Sequence, residues 1–228
     1  MSKIAFVAAL EREIRPLVRG WESRFVDHGG RRLQIFEKGD AVLVCGGIGA
    51  EAARRATEAV IQAAQPRKVV SVGFAGALDG RLKVADVFEP RIVINSRDGS
   101  RVDCGSGDGT LVSSAVVADK AAKTTLHKSY GASAVDMEAA AVAQGAETRN
   151  VAFGALKAIS DDAQFAMPAM DRFITSDGRF LGMKFAMHVA VRPWMWPAAI
   201  RLAGNSARAS SALSAAMERY ITRETHLT

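Results

Sequence analysis

Ala134-Val135-Asp136-Met137-Glu138-Ala139-Ala140-Ala141-Val142-Ala143 runs from a short apolar strand straight into an alanine-rich helix. Glu138 stands at the junction. A carboxylate there is favoured by the positive end of the helix dipole, and it can accept hydrogen bonds from a ligand above the sheet. The same pattern also fits two acids, Asp136 and Glu138, that only cap a helix. Two further segments place acids at the ends of apolar runs: Ala8-Ala9-Leu10-Glu11-Arg12-Glu13 and Ala158-Ile159-Ser160-Asp161-Asp162-Ala163.

Working outward, residues 3–9 read as a buried strand and 11–19 as a short helix. Residues 24–27, 33–37 and 41–45 read as strands separated by glycine turns, and 51–64 as an amphipathic helix ending before Pro66. The β-branched run 68–72 is typical of a strand covered on both faces. Residues 86–95 give another strand, and the polar stretch 96–110 reads as a loop, either an active-site flap or a surface hairpin. Helix 118–128, strand 132–135, helix 138–147 and strand 151–159 follow. This alternation predicts a three-layer α/β/α fold with a central mixed β-sheet, as one domain over residues 1–228. Ligands in such sheets sit beyond strand C-terminal ends, where the three acidic segments fall.

Residues 183–220 are helical by composition, with breaks expected at Pro193 and Pro197. The part around Trp194, Met195 and Trp196 is too short and too interrupted to span a membrane. It is read as packing on the sheet, covering the pocket, making a subunit contact or lying on a membrane surface.

Apolar residues make up 49% and charged residues 24%, ordinary for a globular chain with a substantial core. The net charge of +6 is scattered without a run of like charge, so nucleic-acid binding is not expected. Two cysteines, Cys45 and Cys104, give no disulfide framework and fit a reducing cytoplasm. The histidines are dispersed and neither cysteine has a partner at ligand spacing, so no metal is expected. The apolar run near the start is ended by Glu11-Arg12-Glu13 without a cleavage-like site and is not read as a secretory signal.

The three acidic segments, in this order, resemble those of the purine nucleoside phosphorylase and methylthioadenosine/S-adenosylhomocysteine nucleosidase superfamily. Val42-Leu43-Val44-Cys45-Gly46-Gly47-Ile48-Gly49 resembles that family's strand and glycine turn. Val72-Gly73-Phe74-Ala75-Gly76-Ala77-Leu78, with Leu82-Lys83-Val84-Ala85-Asp86-Val87, resembles its central strand and following loop. The resemblance covers about residues 3–163 and implies cleavage of a purine N-ribosidic bond without a cofactor. Such cleavage passes through a ribosyl cation-like state, so the leaving purine needs a proton, the sugar must be held, and a nucleophile must reach the anomeric carbon.

By this resemblance Asp161 is the general acid, with Asp162 the better helix cap. Glu138 binds the ribose hydroxyls beside Met137, and Glu13 is the base that activates water, with Glu11 its competitor. Phe74, Gly76, Ser160 and Lys157 fall at substrate-binding positions. Gly47, Ile48 and Gly49 fall on the phosphate or water side, where turn amides can form an anion nest. Arg12, Arg15, Arg54 and Arg55 are near in sequence but match no phosphate motif, and Glu13 favours hydrolysis over phosphorolysis. The resemblance also implies a homo-oligomer.

Three positions depart from the nucleosidase pattern: Phe74 replaces a small hydroxyl residue, Lys157 an arginine, and Val116-Val117 an aromatic that stacks on adenine. The stretch Gly109-Thr110-Leu111-Val112-Ser113, with Ala121, Lys123 and Leu126, is similar to a hopanoid-associated phosphorylase branch. So are Arg192-Pro193-Trp194 and Arg201-Leu202-Ala203. That likeness implies, as the alternative, phosphorolysis of a lipid-linked adenosyl nucleoside. A non-catalytic nucleoside-binding protein is a third reading, opposed by the three carboxylates.

Overall fold

A computed structural model describes residues 3–165, 170–175 and 177–225. Strand β1 (Ile4–Ala8) leads into helix α1 (Glu11–Val18), then β2 (Glu22–His28), β3 (Arg31–Lys38) and β4 (Ala41–Cys45). Helix α2 (Ala50–Ala64) ends at Gln65, whose left-handed backbone (φ 47°) precedes Pro66. The long strand β5 (Lys68–Ala77) follows. Strands β6 (Val87–Phe88), β7 (Ile92–Asn95), β8 (Arg101–Asp103) and β9 (Thr110–Ser113) come next, then α3 (Lys120–Tyr130) and β10 (Ala134–Asp136). Helix α4 (Ala139–Thr148), β11 (Ala152–Asp161), α5 (Gly182–Ala190) and α6 (Trp196–Thr225) complete the order.

The sheet is mixed, in the order β2-β3-β4-β1-β5-β10-β9-β7-β8, with β11 paired to β5 and β6. β5 is its hub: parallel to β1 over its first half, parallel to β11 along its length, and antiparallel to β10 at its end. On one face α2 and α4 bury Ala53, Ala56, Val60, Val142 and Ala146 against the sheet. On the other, α1 and α6 bury Ile14, Leu17, Leu213 and Met217 around Phe6 and Leu43. The three layers expected from the alternation are therefore present.

Several details differ from the sequence reading. Residues 86–95 form two strands, because Pro90 has no N–H to extend a ladder. β6 joins β11, whereas β7 pairs with β8 and β9. The polar stretch 96–110 is a surface hairpin carrying β8, and β9, inside the sheet, follows it. Pro193 opens a 3-10 turn, but Pro197 sits in the first turn of α6, where a missing N–H costs nothing, and does not break it. The C-terminal half of α6 packs on the sheet, while α5 has no buried residue.

Candidate active site

A cavity of about 420 Å³ opens above the C-terminal ends of the strands. Its floor holds Glu13, Phe74, Gly76, Met137, Glu138, Ser160 and Asp161, so most of the residues singled out in the sequence meet in one place.

Glu13 lies on the inward stripe of α1 with Ile14, Leu17 and Val18, whereas Glu11 is exposed. Helix phase therefore brings Glu13, and not Glu11, to the cavity. Glu13 is buried, and its Oε2 has no hydrogen-bond partner among the described residues. Burial, reinforced by the Glu138 carboxylate, pushes its pKa up to about 8. It approaches β5 at Gly73 so closely that a Cβ there would lie 2.8 Å from Oε2.

Asp136 and Glu138 divide the work at the start of α4. Asp136 caps the helix, accepting the Ala139 N–H at 2.9 Å, and it also accepts the Ser113 hydroxyl at 2.6 Å and pairs with Lys157 at 2.8 Å. Glu138 is thereby released toward the pocket. Its two oxygens accept the Gly49 N–H at 2.8 Å and the Met137 N–H at 3.2 Å. Burial and the neighbouring Asp136 raise its pKa to about 7.

Lys157 is fully buried and does not line the cavity; its ammonium donates to Ser71 Oγ at 3.0 Å and holds Asp136 from beneath. It is placed as a support for the floor, not on it.

At the far side, β11 bulges between Ile159 and Asp161, so that Asp161 pairs with Gly76 after one extra residue. The bulge turns both Ser160 and Asp161 into the cavity. The Ser160 hydroxyl donates to Asp161 Oδ1 at 2.6 Å. Asp161 Oδ2 lies against the face of Gly76, where a Cβ would come within 2.8 Å. Gly73 and Gly76 are three residues apart on β5, so the two acids approach that strand about 10 Å from one another. Among the described residues Asp162 caps no helix; its side chain accepts the Gln164 N–H in a turn.

The residue that sequence reading missed as a site group is Lys123. It is 2% exposed, lines the cavity, forms an ion pair with Asp161 and donates to the Asp162 carbonyl at 2.7 Å. A signal existed: Lys123 falls on the stripe of α3 with Leu126 and Tyr130, at i, i+3 and i+7, where an apolar residue is expected.

The glycine turn differs from the anion nest expected of it. Gly46 N–H donates to Ala8 O, Gly47 N–H to Ala9 O and Ile48 N–H to Gly178 O, at 2.8–2.9 Å, and Gly49 N–H to Glu138. All four amides are engaged, so they leave no donor for phosphate; only Ile48 of the turn lines the cavity. Among the four nearby arginines, Arg12 reaches the cavity wall, over the Phe180 ring. Arg54 pairs with Glu51 and Glu58.

The roof is apolar: Val116, Val117, Ile174, Phe180, Phe185 and Leu202 line it. Two valines stand at the position where an aromatic was expected to stack, and Phe180 and Phe185 bring aromatic surface from a later part of the chain. Among the described residues no group of His, Cys, Asp and Glu could hold a metal ion.

The sequence profile of the phosphorylase superfamily matches residues 3–109 and 104–177. No curated protein sequence matches. The fold is similar to that of Arabidopsis thaliana 5′-methylthioadenosine nucleosidase, with 19% identity, TM-score 0.74, and coverage of 97% of this chain and 95% of that one. It is also similar to a methylthioadenosine/S-adenosylhomocysteine nucleosidase of Colwellia psychrerythraea in complex with adenine, at 21% identity and TM-score 0.62, covering 71% and 83%. Futalosine hydrolase of Helicobacter pylori matches at 22% identity and TM-score 0.61, covering 71% and 88%.

Proposed function

The chain belongs to the phosphorylase superfamily and is an enzyme acting on nucleosides; from that premise we propose that it hydrolyses the N-glycosidic bond of a purine nucleoside. The carrying observation is the buried, unpartnered Glu13 oxygen beside Glu138, in a cavity whose glycine-turn amides are already engaged. A carboxylate oxygen without a partner is suited to take a proton from water, and a filled nest is not suited to bind phosphate.

Each residue then has a task. Glu138 is fixed by two backbone N–H groups and retains lone pairs for the ribose 2′- and 3′-hydroxyls, with Met137 beside the sugar. Ionised Glu13 removes a proton from the water that attacks the anomeric carbon. On the opposite side the Lys123–Asp161 pair, oriented by Ser160, supplies the proton that the departing purine takes on its imidazole ring. Gly76 admits Asp161, and Phe74 packs at the cavity wall. Lys157 keeps Asp136, and through it the start of α4, in place. The free cysteines fit a cytoplasmic setting, and we assign a homo-oligomer by the family resemblance.

Phosphorolysis, including that of a lipid-linked adenosyl nucleoside, is the second reading; Arg12 at the cavity wall is the observation that favours it. Purine nucleosides, including 5′-methylthioadenosine and S-adenosylhomocysteine, incubated with and without phosphate separate the two. Free sugar formed in phosphate-free buffer is the expected result. Sugar 1-phosphate formed only when phosphate is present would overturn hydrolysis.

A further inference from the structure

Exposed large apolar side chains are concentrated in one part of this molecule. Six of the eight among the described residues, Met183, Met187, Val191, Trp194, Trp196 and Ile200, lie within eighteen residues, each 47–76% exposed. Met183, Met187 and Val191 follow one another at four-residue intervals, and so share one face of α5 and its end. Trp196 and Ile200 repeat that spacing at the start of α6. A patch of this kind on a folded chain marks a contact surface.

Charge identifies the occupant. From Gly178 to Met217 the chain carries Arg179, Lys184, Arg192, Arg201 and Arg208 and no aspartate or glutamate. Of the acids just before this segment, Asp177 pairs with Arg31 and Asp171 accepts the Val117 N–H. Three cations directly follow exposed apolar residues, as Met183-Lys184, Val191-Arg192 and Ile200-Arg201. Apolar side chains interleaved with long cationic ones, with tryptophans at their centre, are the composition of a segment lying in a headgroup layer. A second copy meeting this face across a two-fold axis would oppose cation to cation. No helix among the described residues is long and apolar enough to cross a membrane, so the contact is peripheral.

We infer that the α5 to early α6 face docks on the surface of an anionic lipid bilayer. The inner side of the same segment supplies Phe185, Ala199, Leu202 and Ala203 to the cavity roof. The docked face and the roof are therefore two sides of one layer, and docking sets the nucleoside cavity close beneath the headgroups. The inference does not depend on whether water or phosphate is the nucleophile.

The test is co-sedimentation of the full chain with phosphatidylcholine vesicles, and with vesicles containing about one third phosphatidylglycerol, at low and high salt. Expected is binding to the anionic vesicles at least about tenfold stronger than to the neutral ones, largely lost in about 0.5 M salt. A Met187→Ser/Trp194→Ser variant and a Lys184→Glu/Arg201→Glu variant should each lose about tenfold in vesicle affinity. Turnover of a soluble nucleoside should be unchanged in both, which also reports that they fold. Three results would overturn the inference: no binding to anionic vesicles at low salt, binding indifferent to the Met187/Trp194 change, or self-association through this face that the same change abolishes. A failure of nucleoside cleavage would bear on the proposed function and leave the vesicle result standing.

Discussion

The two ends of the cavity floor handle charge in opposite ways. Around Asp161 each carboxylate oxygen has a partner: Ser160 on one, Lys123 on the other. Around Glu13 the floor also holds the Glu138 carboxyl, one Glu13 oxygen has no partner among the described residues, and both pKa values are raised, to about 8 and about 7. One end is a neutralised ion pair; the other is crowded negative charge that retains a proton near neutrality. Under the proposed mechanism the two ends serve as acid and base about 10 Å apart, and they differ by their neighbours alone, since both groups are simple carboxylates.

Asp161→Asn tests the paired end most severely. It should lower kcat for nucleoside cleavage by about 10³-fold while nucleoside binding, followed by calorimetry, largely survives. Retained turnover would remove Asp161 from the chemistry and erase the contrast.

Glu13→Gln tests the crowded end, with an expected loss of about 10²-fold in hydrolysis. The wild-type kcat/KM should rise as pH increases through 7 toward 8, because the base must be ionised, and the variant should lose that limb. Stability should change the other way. A carboxyl that titrates near 4.5 when unfolded and about 8 when folded favours the folded state below pH 4.5, and that contribution is lost as pH rises toward 8. Glu13→Gln should therefore raise Tm, by more at pH 9 than at pH 5. A lower Tm at pH 9 would show that the free oxygen of Glu13 has a partner after all.

The smallest effect is expected at Lys123. Lys123→Met should reduce kcat by about tenfold and Lys123→Arg should recover part of it, since either cation can donate a charge-assisted hydrogen bond to Asp161. Equal activity in the methionine variant would make Lys123 a packing residue and leave Asp161 as a lone acid.

What could be read from the sequence followed from periodicity and punctuation. The acids at strand ends, the β-branched run of β5 and the stop at Pro66 located the layers and most of the floor. The bulge at Ser160 was not legible, because a strand's alternation does not announce where a residue is inserted. β9 was hidden by the glycines and aspartates of the hairpin before it, and its pairing is with strands distant in sequence. Lys123 was misjudged because a lysine in a helix is ordinarily solvated; only its partner, 38 residues away, explains its burial. The engaged amides at Gly46–Gly49 depend on Ala8, Ala9, Gly178 and Glu138, which no local motif connects.

The position of β5 has a consequence for how the molecule comes apart. Its backbone is held by β1, β11 and β10 together, and the carboxylates of Glu13 and Asp161 lean on it at Gly73 and Gly76. Its amides belong to the last cooperative unit to exchange with solvent, whereas α5, with nothing buried, belongs to the first. On warming, the cavity should lose its ceiling while Glu13 and Asp161 are still in register, so that nucleoside affinity is expected to decline first.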